Sequence, residues 1–153
     1  MPALWEASSG GGDKMAPFRT VNTAFWETPQ VVDNFSPADR YIYLYCLTNP
    51  HTNLCGCYEI SIRQIAAETG LDRDFVQNSL DRLHLLHHVI EYQPQSKELL
   101  IYDWPKSNWT ASPKIQRRIL CEIAKVKCWG FRLFLRAEYH RRQHKKNTMR
   151  RNT

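Results

Sequence analysis

Apolar residues are concentrated in short blocks, each bounded by residues that begin or end helices. The first block starts at Ser36 and Pro37, because serine caps a helix through its hydroxyl and proline suits the first helical position. Residues 41–47 are apolar on nearly every side of a helix, and Asn49-Pro50 ends the run. The pattern predicts a central, largely buried helix.

Two further helices are predicted close together. Ser61 followed by Gln64 is a capping box that begins the first of them, and Gly70 is well placed to end it in the left-handed conformation. Asp72 caps the next helix almost at once, and the tight connection predicts a helix-turn-helix. The apolar face of this third helix consists of Val76, Leu80 and Leu83.

Residues 57–60 are a short strand candidate between turn residues and a helix cap. Two further β-rich runs, 89–92 and 99–102, flank a Pro- and Ser-containing turn at 93–97 and predict an antiparallel hairpin. A helix, a strand, a helix-turn-helix and a hairpin, in that order, make up a winged-helix domain. The sequence therefore predicts an α+β fold, mainly α with a small β-hairpin: a winged helix-turn-helix domain with a C-terminal helical extension.

Composition divides the chain into four parts. Residues 1–17 are small and rich in Gly and Ser, which predicts a flexible leader, and a winged-helix domain is expected over 18–110. Residues 111–139 are expected to form the helical extension, with a capped helix from 114 to about 127 and an apolar stripe after it. Residues 140–153 are expected to be a basic tail.

Two sets of apolar residues are expected to be buried. The domain core is predicted from the spacing of apolar residues along the helices and strands, and Trp26 is expected to pack beneath it. Its predicted members are Tyr41, Leu44, Ile65, Val76, Leu80, Leu83 and Ile101. An apolar stripe exposed on a monomer calls for a partner, so the stripe of the extension is predicted to be an interface between copies of the chain. The stripe consists of Phe131, Phe134, Leu135 and Tyr139.

Four segments carry a family resemblance when they are taken in order. TAFW at 23–26, LTNP at 47–50, CGCYEIS at 55–61 and ETGL at 68–71 resemble the N-terminal winged-helix region of phage replisome organisers and DnaD-like replication initiation proteins. The resemblance covers roughly residues 19–128. It implies a factor of phage or prophage origin that marks where the replicative helicase is loaded, with duplex DNA and a helicase loader as partners.

Composition excludes several classes of protein. With 153 residues, 42% hydrophobic and 12% aromatic, the chain is long enough for one globular domain and too rich in aromatics for a disordered one. It has no apolar run of the roughly 18 to 20 residues that span a membrane and no signal peptide, so a cytoplasmic protein of a bacterium or phage-infected cell is expected, with no membrane partner. Five cysteines at irregular spacing predict reduced thiols.

The net charge of +6 conceals an asymmetry. Residues 1–113 carry 8 Lys and Arg against 13 Asp and Glu, whereas residues 114–153 carry 13 against 2. A mildly acidic body with a strongly basic end predicts a polyanionic partner, with a solubilising tail as the alternative. Phosphate contacts are expected from a series of cations along this end: Lys114, Arg117, Arg118, Arg132, Arg136, Arg141, Arg142, Lys145, Lys146, Arg150 and Arg151.

The outward face of the third helix offers side chains that read bases. Arg73 matches guanine, and Gln77 or Asn78 matches adenine, because each presents a two-point hydrogen-bond pattern. Arg82 lies on the same face, and Lys97 at the hairpin tip can contact a phosphate or the minor groove. Three aspartates of this face would repel phosphates and favour a protein partner instead: Asp72, Asp74 and Asp81.

No catalytic, metal or cofactor site is predicted. The sequence has no glycine-rich phosphate loop and no nucleophile elbow. Cys55 and Cys57 are closer together than the cysteine pairs of structural zinc sites, and they indicate small buried side chains. We therefore predict a DNA-binding protein of replication initiation that is not an enzyme. The alternatives are an oligomerisation and protein-interaction module of a primosome, or a transcriptional regulator of the same fold.

Overall fold

A computed structural model of the chain describes residues 18–151, so the predicted leader lies outside the described residues. Within them the fold is α+β and mainly helical, as predicted, with a three-stranded sheet. A 3₁₀ turn at Thr23–Trp26 and a π-helical turn at Gln30–Asn34 precede the first helix. The regular elements follow in this order: α1 (Pro37–Thr48), β1 (Cys57–Glu59), α2 (Ile62–Thr69), α3 (Arg73–Leu85), β2 (Ile90–Gln93), β3 (Glu98–Ile101), α4 (Trp104–Asn108), α5 (Pro113–Lys125) and α6 (Trp129–Arg151).

The predicted beginnings of α1 and α3 and the end of α2 are confirmed. The Ser36 hydroxyl accepts a hydrogen bond from the Asp39 N–H at 3.1 Å, and the Asp39 carboxylate accepts one from the Ser36 N–H at 3.4 Å. Gly70 ends α2 with φ +77°, and the Asp72 carboxylate then accepts a hydrogen bond from the Phe75 N–H at 2.9 Å. The connection between α2 and α3 is therefore as short as the caps predict.

The capping box predicted at the start of α2 is only half present. The Ser61 hydroxyl accepts a hydrogen bond from the Gln64 N–H at 3.1 Å. The Gln64 amide nitrogen instead lies 3.1 Å from Nε2 of His51, which itself lies 2.8 Å from the Glu68 carboxylate. The Gln64 side chain therefore contacts His51, 13 residues away, instead of the Ser61 N–H that a complete capping box requires.

The sheet is buried on both faces. Its antiparallel strands lie in the order β1–β3–β2, with Cys57 opposite Leu100 and Tyr58 opposite Leu99. Because side chains alternate along a strand, Leu99 and Ile101 belong to a core shared with α1–α3, whereas Leu100 belongs to a second core shared with α5 and α6. The helices α1–α3 and the pair α5–α6 consequently cover opposite faces of the sheet.

The first core differs from the predicted one in part. Five predicted members are buried: Ile65, Val76, Leu80, Leu83 and Ile101. The placement of Tyr41 and Trp26 in the core is wrong, since they are 48% and 57% exposed, and Leu44 is only half-buried. Because α1 is apolar on nearly every side, its period could not select the buried face, and Tyr41 lies at the rim, where its hydroxyl donates to the Thr69 carbonyl. The buried apolar residues of α1 are Ile42, Tyr43 and Cys46.

The second core contains the apolar stripe of the extension. Phe131 and Leu135 are 4% and 0% exposed, and Phe134 and Tyr139 are partly buried against the same cluster. Phe134 packs edge-on against Tyr102, with 5.2 Å between the ring centroids. The predicted interface between copies is therefore wrong at Phe131 and Leu135, because they cover the second face of the sheet in their own chain, and it stays a prediction for the half-buried Phe134 and Tyr139.

Two carboxylates attach the extension to the sheet and to the loop before β1. Glu98, which is 4% exposed, accepts hydrogen bonds from the N–H groups of Lys127 and Cys128, both at 2.7 Å. Glu122 accepts a hydrogen bond from the Cys55 N–H at 2.9 Å. The helical extension is thereby held in a fixed place against the body.

The short helix α4 was not predicted from the sequence. The indole N–H groups of Trp104 and Trp109 both donate to the Leu54 carbonyl, each at 3.1 Å. The Trp104 ring lies against Gly56, at the point where a Cβ of that residue would stand. These two tryptophans join the loop before β1 to the start of the extension.

Candidate nucleic-acid interface

The outward face of α3 carries the predicted base-reading side chains. Arg73 and Asn78 are exposed, and Gln77 is half-buried with its amide donating to the Asp81 carboxylate at 2.9 Å. The same helix is acidic, since three exposed carboxylates accompany its exposed Arg73: Asp72, Asp74 and Asp81. The structure thus brings both the predicted readers and the opposing charges to one surface.

Arg82 is already bound within the chain. Its Nη2 lies 2.8 Å from Oδ1 of Asp39 and its Nε 3.1 Å from the same oxygen, and Asp39 is 2% exposed. Burial tends to raise the pKa of Asp39, but hydrogen bonds from Arg82 and Ser36 outweigh it and hold the pKa below its ordinary value. The guanidinium of Arg82 neutralises a buried carboxylate and joins α3 to α1, while 37% of the side chain stays exposed, so a contact of Arg82 with DNA stays a prediction.

Lys97 lies in the turn between β2 and β3. It is exposed, with φ +54°, and its carbonyl accepts a hydrogen bond from the Ile60 N–H at 2.7 Å. That bond fixes the turn beside the end of β1. A phosphate contact by Lys97 stays a prediction.

The helices α5 and α6 carry 12 of the 20 Lys and Arg that the structure describes. α6 continues across the predicted boundary between residues 139 and 140 without a break, and its 23 residues extend for about 34 Å. Lys125, the eighth exposed cation of the two helices, lines a cleft that also contains Glu59, Glu98 and Glu122. We call the other seven the basic face: Lys114, Arg117, Arg136, Arg141, Lys145, Arg150 and Arg151.

The two acidic residues of this region are held in contacts within the chain. Glu122 is bonded to the Cys55 N–H, and Glu138 accepts hydrogen bonds from Arg141 and Arg142. Burial tends to raise the pKa of Glu138, but the two arginines outweigh it and lower the pKa. Glu138 is therefore ionised at neutral pH and offsets part of the charge of Arg141, while the basic face as a whole stays strongly positive.

Four of the predicted phosphate contacts are only partly exposed: Arg118, Arg132, Arg142 and Lys146. Nε of Arg142 donates to Glu138 at 2.8 Å, and its guanidinium carbon lies 6.0 Å from the centre of the Trp109 ring, within cation–π distance. Residues 142 and 146 continue the helical period of the buried stripe. If the helical period of the stripe is continued past residue 139 in the sequence, it separates residues 142 and 146 from the outward cations of α6.

The cysteines belong to no cluster of potential metal ligands in the part of the chain that the structure describes. Within residues 18–151, no three His, Cys, Asp or Glu side chains come together in a way that would hold a metal ion. Cys55 and Cys57 are buried beside α5, and burial raises the pKa of the Cys55 thiol to about 12. Both thiols serve as small side chains of the second core.

Comparison with known proteins adds no relative. No family model, no curated protein and no solved structure matches the chain. In the part of the chain that the structure describes, no helix has both the length and the apolar character needed to cross a membrane. The functional proposal therefore stands on the geometry of α3 and of the basic face.

Proposed function

We propose that this protein binds duplex DNA through a winged-helix domain and a basic C-terminal end, at a step of replication initiation. The element order supports the winged helix: α1, β1, α2, α3 and the hairpin β2–β3, with β1 paired to the second hairpin strand. The short connection between α2 and α3 supports a helix-turn-helix in which α3 is the recognition helix. The role in replication, with a helicase loader as partner, rests on the resemblance of the four sequence segments.

The basic face is the single observation that carries the proposal. Between residues 114 and 153 the chain has 13 Lys and Arg against 2 acids, and eight of those cations, the seven of the basic face and Lys125, are exposed on two adjacent helices. Each cation that neutralises a phosphate releases condensed counterions and lowers the log-affinity against log-salt slope by about 0.9. Full engagement of the basic face would give a slope of about −6.

In this proposal α3 supplies the sequence discrimination. Early residues of a recognition helix reach base edges in the major groove, and Arg73, Gln77 and Asn78 lie in the first two turns of α3. Each good base contact discriminates by about 1–3 kcal/mol. Gln77 must exchange its bond to Asp81 for the base contact.

A second candidate function follows from the charge of α3. Besides its three aspartates, this helix exposes 41% of Phe75 and 65% of Leu85. An acidic surface with exposed apolar side chains suits a basic protein partner better than DNA. This favours the interaction-module alternative for α3, with the basic face still directed at nucleic acid.

The proposal is tested by salt titration of binding to a random-sequence duplex. The variant Arg117→Gln/Arg136→Gln removes two cations of the basic face and should flatten the slope by about 1.8. The control, Lys106→Gln/Lys127→Gln, removes two exposed cations that already contact Asp103 and Glu59, and it should leave the slope nearly unchanged. Equal slopes in both double variants would contradict phosphate binding by the basic face.

The role of α3 is tested on a duplex enriched from a randomised pool. Arg73→Ala and Gln77→Ala should each reduce the difference in binding free energy between the enriched and the random duplex by about 1–3 kcal/mol. The slope of log affinity against log salt concentration should change little. If neither variant changes this difference in binding free energy, α3 does not read bases, and the result favours a protein-docking function for α3.

A further inference from the structure

A notch of about 50 Å³ lies between the loop that precedes α5 and the second half of α6. A single water needs about 10–15 Å³ by this measure, so the notch has room for a few waters or for one tetrahedral oxyanion. Its walls include Trp109, Thr110, Gln116, Tyr139, Arg142 and Lys146.

Hydrogen bonds within the chain hold the walls of the notch in place. The Trp109 indole N–H donates to the Leu54 carbonyl at 3.1 Å, and the Gln116 amide donates to the Thr110 carbonyl at 3.3 Å. The Gln143 amide from α6 donates to Oε1 of Gln116 at 3.1 Å. A site whose walls are already ordered loses little conformational entropy when it binds a ligand.

Arg142 and Lys146, one helical turn apart, give the notch its charge. A guanidinium has five N–H donors, and the bond from Nε of Arg142 to Glu138 uses one of them. Among residues 18–151, no carboxylate lies within ion-pair distance of the half-buried Lys146. A cation without a counter-charge nearby attracts an anion that enters beside it.

We propose that this notch binds one phosphate group of the DNA backbone, held by the fork of Arg142 and the ammonium of Lys146. A guanidinium fork matches the geometry of phosphate oxygens, and the Trp109 ring beside it fixes where the fork lies. The inference rests on the proposed DNA binding and deepens it. The basic face attracts the duplex, and the notch fixes the register in which the duplex lies.

The first test uses inorganic phosphate and the full ¹⁵N-labelled chain. The indole N–H signal of Trp109, assigned with Trp109→Phe, should shift saturably with phosphate and not with chloride at equal ionic strength. Lys146→Gln should weaken that saturation by about tenfold, as for loss of one charged hydrogen bond. No phosphate-specific shift would overturn the proposal.

The second test compares two neighbouring lysines in binding to a random duplex. Lys146→Gln should weaken binding about tenfold, whereas Lys145→Gln, an exposed member of the basic face, should weaken it about two- to threefold, as for a screened surface charge. Circular dichroism of both variants checks that α6 is intact.

The outcomes separate the notch from the proposed function beneath it. Equal losses in Lys145→Gln and Lys146→Gln overturn the notch and leave DNA binding by the basic face standing. A Lys146→Gln protein that loses phosphate binding but keeps its DNA affinity overturns the DNA form of the proposal, because the notch is then a site for free phosphate. Absence of any salt-dependent DNA binding contradicts the proposed function itself.

Discussion

Replacing Gly56 by alanine should destabilise the protein by about 2–5 kcal/mol, because the change adds two separate penalties. Gly56 has φ +85°, a left-handed conformation that costs an L-residue about 1–2 kcal/mol. The added Cβ would also lie 2.3 Å from Cγ of Trp104 and 2.5 Å from its Cβ and Cδ1. Displacing that buried ring is an overpacking change of about 1–3 kcal/mol.

Two other glycines separate these penalties in urea unfolding followed by circular dichroism. Gly70 has φ +77° with nothing within 4 Å of its Cβ position, so Gly70→Ala should show the backbone penalty alone. Gly130 lies in α6 with open space around it, so Gly130→Ala should raise stability by up to about 1 kcal/mol. The midpoint should move with an unchanged m value. A loss for Gly56→Ala no larger than that for Gly70→Ala would refute the contact with Trp104.

Three further changes test other parts of the structure. Asp39→Asn should cost about 1.5–3 kcal/mol in urea unfolding at neutral pH, since it removes the buried carboxylate that accepts charged hydrogen bonds from the partly exposed Arg82. The fold lowers the pKa of Asp39, so the stabilisation by its carboxylate is complete above about pH 4 and is lost as pH falls through the folded pKa. The unfolding free energies of wild type and variant should therefore converge at that low pH. A difference that stays constant with pH would contradict this. Phe131→Asp should lower the unfolding free energy by several kcal/mol without changing the sedimenting mass of the folded protein, and a smaller folded species would restore the interface between copies. A thiol reagent should modify exposed Cys121 in the folded state and spare Cys46 and Cys55, whose pKa burial raises to about 12; equal rates at all three would contradict their burial.

The features that the sequence predicted correctly depend on residues close together in the chain. Ser36, Gly70 and Asp72 act within four residues of their own positions, so the helix boundaries follow from short-range hydrogen bonds. The strands and the hairpin are likewise marked by local runs. The α+β class could therefore be predicted without knowledge of the packing.

The features that the sequence did not predict depend on distant partners. Arg82 pairs with Asp39 across 43 residues, and nothing in the local sequence of α3 separates it from the base-reading side chains. The stripe at Phe131 covers the second face of the sheet, and this face forms only when β1 pairs with the distant strand β3. The local sequence therefore shows an apolar stripe but not the surface on which it packs. The notch beside Trp109 joins α5 to residues about 27 positions away on α6.

Amide ¹H–¹⁵N chemical-shift mapping on addition of a random-sequence duplex tests most directly whether the basic face binds the DNA backbone. We expect the shifts to concentrate at the outward positions of α5 and α6, between residues 114 and 151, and to recede as the salt concentration rises. The helices on the other face of the sheet should respond less to a random sequence than to an enriched one. Shifts confined to α1–α3, or shifts on α5 and α6 that salt does not weaken, would contradict binding of the DNA backbone by the basic face.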